Sequence, residues 1–113
     1  MTPDIAYKVL TDAQMKKLEG GSFDGAPVDL ADGYIHLSTA EQLAETVDRH
    51  FAGQDDLWVA AVDLSAQDDV RWEKSRGGAL FPHLYGVLLL ETVVAYSPLE
   101  RTPDGSVMLP VAG

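Results

Sequence analysis

Residues 32–41 read DGYIHLSTAE and combine a turn signal, a short strand and a helix start in one stretch. The opening Asp-Gly pair is a strong turn signal. Alternation of apolar and polar residues follows, which predicts a short strand with Ile35 and Leu37 on its core face. His36 must then point away from the core.

Ser38 and Glu41 have the spacing of a capping box, in which each side chain accepts a hydrogen bond from a backbone amide at the start of a helix. Apolar residues recur behind this box at every fourth position: Leu43, Val47 and Phe51. This pattern predicts an amphipathic helix that ends at Gly53.

The rest of the chain predicts further short elements around this centre. They are a strand at 5–10, a helix capped by Thr11 that ends at Gly20, a loop over 22–33, a central strand at 57–64, strands at 70–73, 87–90 and 92–96, an irregular connection over 80–86 and an edge segment at 107–109. The expected fold class is α+β, with a small mixed or antiparallel sheet packed with two main helices. A chain of 113 residues is the size of one domain, so we expect a single domain over 1–113.

Charge and composition exclude several function classes. The formal charge of -10 comes from 18 acidic and 8 basic residues, which disfavours nucleic acids and anionic membrane surfaces as partners. With no cysteine there is no disulfide, thiolate nucleophile or cysteine-ligated metal. No apolar run approaches the length of a membrane helix, and no secretory signal opens the chain, so the expected location is the cytoplasm.

His36 and Ser38 are candidate ligand-binding residues, because they share one strand face next to a helix start. Backbone amides at such a start favour anionic groups, and a phosphate-bearing ligand would fit there. The alternative is structural: His36 is held by a hydrogen bond in the sheet, and Ser38 only caps the helix.

Two further pairs could contribute to a site. Arg71 and Glu73 share one strand face and could converge on a bound group, or form an exposed ion pair of little consequence. His83 and Tyr85 lie between Pro82 and Gly86, in a turn that could present an imidazole and a phenol or could be packed for structural reasons alone.

A metal site and the common phosphate-binding motifs are not expected. His36, His83 and Glu73 could form a facial triad, but no close histidine spacing supports one. Neither a Gly-x-Gly-x-x-Gly fingerprint nor a P-loop occurs.

Three blocks of sequence carry a family resemblance. They are Asp32-Gly33-Tyr34-Ile35-His36-Leu37-Ser38-Thr39, then Arg71-Trp72-Glu73, then Phe81-Pro82-His83-Leu84-Tyr85-Gly86. In this order they resemble the bacterial family catalogued as domain of unknown function 952, over nearly the whole chain. That family is distantly grouped with the ADP-ribosyltransferase-like fold, whose members hold NAD with a histidine or arginine on an early strand and often use a late glutamate.

The resemblance implies that His36 is the residue that anchors NAD, with Ser38 beside it. In the hypothesis of a nucleotide pocket that follows, Arg71 and Tyr85 are further ligand-binding residues. Glu73 and His83 would be the catalytic residues. No Ser-Thr-Ser block or Glu-x-Glu pair accompanies them.

Three hypotheses on function therefore stay open: an NAD-binding or transferase-like protein, a non-catalytic module that binds a small metabolite, and an interaction protein that uses its sheet edge and apolar tail. Under either of the first two hypotheses, His36 should share a concavity with at least two of Arg71, Glu73, His83 and Tyr85.

The charge balance generates the first testable prediction. Because few basic residues are available to displace counterions from phosphates, we expect no binding to duplex DNA or structured RNA at physiological salt. A gel-shift titration measures this directly. Submicromolar binding that weakens with salt would contradict the prediction.

Overall fold

The computed structural model describes residues 4–110, which form an α+β fold of eight strands and three α-helices. The strands are β1 (Ile5–Thr11), β2 (Ser22–Phe23), β3 (Ile35–His36), β4 (Leu57–Asp63), β5 (Val70–Lys74), β6 (Leu80–Leu84), β7 (Leu88–Leu89) and β8 (Val93–Pro98). The α-helices are α1 (Asp12–Glu19), α2 (Pro27–Asp32) and α3 (Leu43–His50). Short 3₁₀ turns cover Ala40–Gln42, Leu64–Ala66, Arg76–Gly78 and Leu90–Thr92.

The strands form three small sheets, and every pairing among the described residues is antiparallel. The first sheet has the order β1-β4-β8, the second β3-β6-β5, and the third joins β2 to β7. As predicted, β4 is a central strand. A backbone bridge between Tyr7 and Ser38 connects the outer edge of β1 to the segment that follows β3.

Both faces of β4 are buried, which explains why this strand is an almost continuous apolar run. One face of the first sheet contributes Ala6, Leu10, Ala60 and Val62 to the larger core cluster, which also contains Leu18 of α1 and Ile35, Leu37 and Leu84 of the second sheet. The other face contributes Val9, Leu57 and Val59 to a smaller cluster with Leu43 and Val47 of α3. The first sheet therefore lies between α3 and the rest of the fold.

The start of α1 is as predicted from sequence. The Thr11 hydroxyl accepts a hydrogen bond from the Gln14 amide at 3.2 Å, and the Gln14 side chain accepts one from the Thr11 amide at 3.0 Å. This is a complete capping box, and α1 then buries Met15 and Leu18.

The predicted loop over 22–33 was wrong, because it contains β2 and the whole of α2. Its glycines, proline and aspartates are typical of a loop, but Pro27 occupies the first turn of a helix, where its missing amide costs nothing. The Asp29 carboxylate accepts a hydrogen bond from the Ala26 amide at 2.8 Å, and Gly33 ends the helix in the left-handed conformation.

The capping box predicted for Ser38 and Glu41 was also wrong by one residue. The N-cap is Thr39, and its amide donates to the Gln42 side chain at 2.9 Å. Ser38 is still extended, because its backbone pairs with Tyr7 on β1.

The predicted irregular connection over 80–86 is largely strand β6, the middle strand of its sheet. A proline in a middle strand removes one ladder hydrogen bond. The Pro82 carbonyl accepts from the Leu37 amide, which lies just beyond the end of β3, so the missing amide of Pro82 faces the side where that partner strand is ending.

Smaller differences lie in the C-terminal part of the chain. The predicted strand at 92–96 is observed as β8, which continues through Pro98 instead of breaking before it. The predicted edge segment at 107–109 is reduced to a single bridge between Val107 and Arg101. Among residues 4–110, no helix is long and apolar enough to cross a bilayer.

Gly33 provides a test of how α2 is joined to β3. Its φ of +88° favours glycine, and a Cβ added there would meet nothing within 4 Å, so Gly33→Ala isolates the backbone strain. We expect this substitution to lower the free energy of unfolding by about 1 kcal/mol. Gly86→Ala is the matched control, since a Cβ there also meets open space without a positive φ. Urea unfolding midpoints compare the two, and an equal effect of both would contradict the prediction.

Candidate functional site

A cavity of about 550 Å³ lies where β1, α2, β3, α3 and β6 meet. Its wall combines aromatic and aliphatic surface with several polar side chains. The aromatic part includes Tyr7, Phe51 and Phe81, and the polar part includes Lys8, Asp29, Asp32, His36, Ser38, Thr46, Gln54 and His83.

A buried ion pair between Lys8 and Asp29 forms part of this wall. Lys8 lies on the core face of β1, between Ala6 and Leu10, and its Nζ is 3.0 Å from the Asp29 carboxylate. The two side chains are 7% and 1% exposed. Lys8 also donates to the His36 carbonyl at 3.1 Å, so one buried cation joins β1 to both α2 and β3.

Asp29 is surrounded by hydrogen-bond donors. Besides Lys8, the Ala26 amide donates at 2.8 Å and the His36 amide at 3.1 Å. Burial raises the pKa of Asp29, but the hydrogen bond with His36 and the positive charge of Lys8 outweigh it and lower the pKa to about 2. Burial lowers the pKa of Lys8, and Asp29 opposes that change.

His36 lies between two carboxylates. Its Nδ1 is 2.5 Å from Asp29 Oδ1, and its Nε2 is 3.0 Å from Asp32 Oδ2. Ile35 and Leu37 are buried in the core on either side of it, while the His36 side chain is 32% exposed. The predicted outward orientation of His36 is therefore observed, and both of its ring nitrogens face acceptor groups.

Ser38 is buried and lines the cavity beside His36. Its hydroxyl is 2.9 Å from the hydroxyl of Thr46 on α3. It therefore does not cap the helix; it joins the end of the second sheet to α3 at the cavity wall.

His83 on β6 is opposite His36 in the strand register, and the two rings are 5.6 Å apart in an edge-to-face arrangement. The ring of His83 is buried, and its Nδ1 is 2.8 Å from Glu73 Oε1. Its Nε2 is also buried and has no hydrogen-bond partner within the described residues. A buried polar atom without a partner costs about 1–3 kcal/mol.

Glu73, Tyr85 and Arg71 lie on the far side of His83. The Tyr85 hydroxyl donates to Glu73 Oε1 at 2.6 Å. The hydrogen bonds from Tyr85 and His83 lower the pKa of Glu73. The hydrogen bond between Tyr85 and Glu73 also raises the pKa of Tyr85. The Arg71 guanidinium is 4.5 Å from the centre of the Tyr85 ring and pairs with Asp69 at 3.0 Å.

Tyr34 joins the two halves of this cluster. Its ring stacks on His83 at 4.1 Å and also contacts His36 at 4.7 Å and Tyr85 at 5.2 Å. Burial raises the pKa of Tyr34, as do the nearby Asp32 and Glu73 carboxylates.

The structure thus brings together all six residues singled out from the sequence, but only three of them line the cavity: His36, Ser38 and His83. The prediction that at least two of four residues share the concavity with His36 was wrong, because only His83 lines the cavity. The other three, Arg71, Glu73 and Tyr85, lie next to His83 but outside the wall. Sequence reasoning missed Lys8, Asp29 and Tyr34. For Lys8 the sequence did offer a signal: a lysine within an apolar strand is buried with it and therefore needs a buried partner.

The expectation of no metal site stays a prediction. Among residues 4–110, no group of three or more histidine or acidic side chains is arranged to hold a metal ion.

Residues 9–96 match the model of a family described as protein of unknown function (DUF952). The chain belongs to the DUF952 family. The family resemblance drawn from the three sequence blocks is therefore confirmed.

Solved structures extend this similarity to the fold. The chain is similar to the crystal structure of protein CC0527 from Caulobacter crescentus, with 44% identity, a TM-score of 0.82, and 93% of this chain and 94% of that chain covered. The solution NMR structure of CC0527 gives 43% identity and a TM-score of 0.77, with 92% and 91% covered. No match was found among curated proteins.

In this DUF952 chain, the Asp29 network generates a prediction on pH. The pKa of Asp29 falls from 3.8 to about 2 on folding, so its stabilising contribution is present above about pH 4 and is lost as the pH falls towards 2. Asp29→Asn should lower the free energy of unfolding by about 3–5 kcal/mol near neutral pH, because it leaves Lys8 buried without a counter-charge.

Urea unfolding at neutral and acidic pH measures both effects. The difference between wild type and Asp29→Asn should shrink below about pH 4. Adding Lys8→Met to Asp29→Asn removes the uncompensated charge and should recover part of the loss at neutral pH. A difference that stays constant with pH would contradict the prediction.

Proposed function

We propose that this protein binds a small organic molecule in the cavity, and that the ligand is neutral or positively charged where it meets His36 and Asp32. The observation that carries this proposal is the charge of the wall: the Asp32 carboxylate is exposed there, and Lys8, the only lysine or arginine among the described residues of the wall, is paired with Asp29. Membership of the DUF952 family does not by itself assign a ligand.

The size and surface of the cavity support a ligand of this kind. A volume of about 550 Å³ is within the range of sites that hold metabolites and cofactors. Tyr7, Phe51 and Phe81 supply aromatic surface, while Ser38 and Gln54 supply polar groups that can fix an orientation.

The charges argue against a phosphate group deep in the cavity. Among the described residues of its wall, Lys8 is the only lysine or arginine, and its side chain is 7% exposed and paired with Asp29. Asp32 is 45% exposed beside His36. A phosphate at this position would meet a carboxylate without an available lysine or arginine.

Only one half of the NAD molecule carries groups that match this wall. Its nicotinamide ring is positively charged and carries an amide, which suits Asp32 and the neighbouring aromatic rings. Its diphosphate would have to lie outside the carboxylate end of the cavity. The nicotinamide riboside half of NAD is therefore the part for which the cavity offers matching groups.

Binding is supported better than ribosyl transfer. In a transferase, Glu73 would stabilise positive charge that develops on the sugar of the substrate. Glu73 does not line the cavity, and its Oε1 accepts hydrogen bonds from His83 and Tyr85 instead. These contacts fit a residue that positions its neighbours.

A thermal-shift and calorimetry panel tests the proposal with nicotinamide, nicotinamide riboside, NAD, ADP-ribose and adenosine. We expect stabilisation by nicotinamide riboside and little or none by ADP-ribose, because only the former carries the cationic ring without phosphates. A ligand at 100 times its Kd should add about 2.7 kcal/mol to the free energy of unfolding. Binding of ADP-ribose as tight as that of nicotinamide riboside would contradict the charge argument.

Variants then localise the site. His36→Ala should weaken binding of the stabilising probe at least about tenfold, or about 1.4 kcal/mol, since it removes the ring that lines the cavity and holds the Asp32 carboxylate at 3.0 Å. Arg49→Ala is the control, because Arg49 is exposed on α3, where it forms a surface ion pair with Glu45. Equal affinities of the two variants would place the ligand elsewhere.

A further inference from the structure

The buried Nε2 of His83 distinguishes this histidine from the others in the chain. The His83 side chain is 3% exposed, and Nε2 has no hydrogen-bond partner among the described residues. Buried polar atoms in native proteins almost always have partners, so an exception needs an explanation. A bound molecule that donates a hydrogen bond would provide one.

Glu73 and Tyr85 determine which nitrogen of His83 carries hydrogen. The Tyr85 hydroxyl donates to Glu73 Oε1, and Glu73 is an ionised carboxylate that can only accept. His83 Nδ1, at 2.8 Å from the same oxygen, must therefore be the donor. In the neutral imidazole this leaves a lone pair on Nε2.

The position of the cavity agrees with this arrangement. His83 lines the cavity, whereas Glu73 does not. Nδ1 is occupied by Glu73, which is not part of the wall, so Nε2 is the nitrogen left for a contact from the cavity. Tyr34 stacks on the ring face and restricts its rotation.

We propose that His83 accepts a hydrogen bond, through Nε2, from a hydroxyl or N–H group of the molecule bound in the cavity. Glu73 and Tyr85 are positioning residues that hold the imidazole in the accepting form. This inference rests on the proposed function for its ligand, and it adds the requirement that the ligand carry a donor at the His83 end. Nicotinamide riboside meets that requirement through its amide and its sugar hydroxyls.

The first test uses ¹⁵N-histidine NMR on the ligand-free protein in slightly alkaline solution, with His36→Ala and His50→Ala to assign the signals. His83 should carry its hydrogen on Nδ1 and show an unprotonated Nε2. Glu73→Ala should abolish this preference, and Glu73→Gln should retain it because the amide oxygen can still accept. A hydrogen on Nε2 in the wild-type protein would overturn the inference whether or not a ligand is found.

The second test repeats the spectra during titration with nicotinamide riboside. The Nε2 signal of His83 should move in the direction expected for an accepted hydrogen bond, and Glu73→Ala should raise the Kd about tenfold. Glu45→Ala is the matched control, since Glu45 is exposed on α3 and should leave the Kd unchanged.

The outcomes separate the two proposals. Binding that leaves the His83 signals unchanged would overturn the role of Nε2 while the proposed function stands. If no probe of the panel binds, the proposed function fails and the ligand role of His83 fails with it, while the NMR result on the free protein still decides whether Glu73 positions the ring.

Discussion

The buried pair of Lys8 and Asp29 is the interaction on which the arrangement of the site depends. Replacing such a pair by apolar residues is often neutral or stabilising, so its presence is poorly explained by stability alone. The role of the pair in this fold is to position α2 and β3. Lys8 is fixed in β1, and through Asp29 and the His36 carbonyl it determines where α2 and β3 lie against the first sheet.

The same pair determines the character of the cavity. Because Asp29 neutralises Lys8, this lysine is not available to an anionic ligand, while Asp32 and the outer side of His36 remain accessible. Asp29 also fixes His36 through both its amide and its ring. One carboxylate in α2 thus sets the orientation of the imidazole and the charge that a ligand encounters.

Local patterns predicted well where neighbours in sequence supply the interaction. The Thr11 capping box, the central β4 and the outward direction of His36 follow from residues within one turn or one strand. Helix α2 and strand β6 were missed because distant partners stabilise them. The Gly- and Asp-rich composition around Asp29 predicts a loop, because the sequence does not show that Lys8, 21 residues away, pairs with it. Pro82 argues against a middle strand until β3 is known to end beside it.

Three departures from ordinary folding rules lie in the cavity wall or directly beside it. A lysine occupies the core face of β1, and a proline lies in the middle strand of the second sheet. The next residue, His83, buries a nitrogen that has no partner in the described part of the chain. Each feature is unfavourable when considered alone, and such conflicts concentrate at functional sites in natural proteins. Lys8 and His83 both line the cavity, and Pro82 precedes His83 directly. The cost of these features is thus concentrated where a ligand would contact the protein, which is the distribution expected if binding, rather than stability, maintains them.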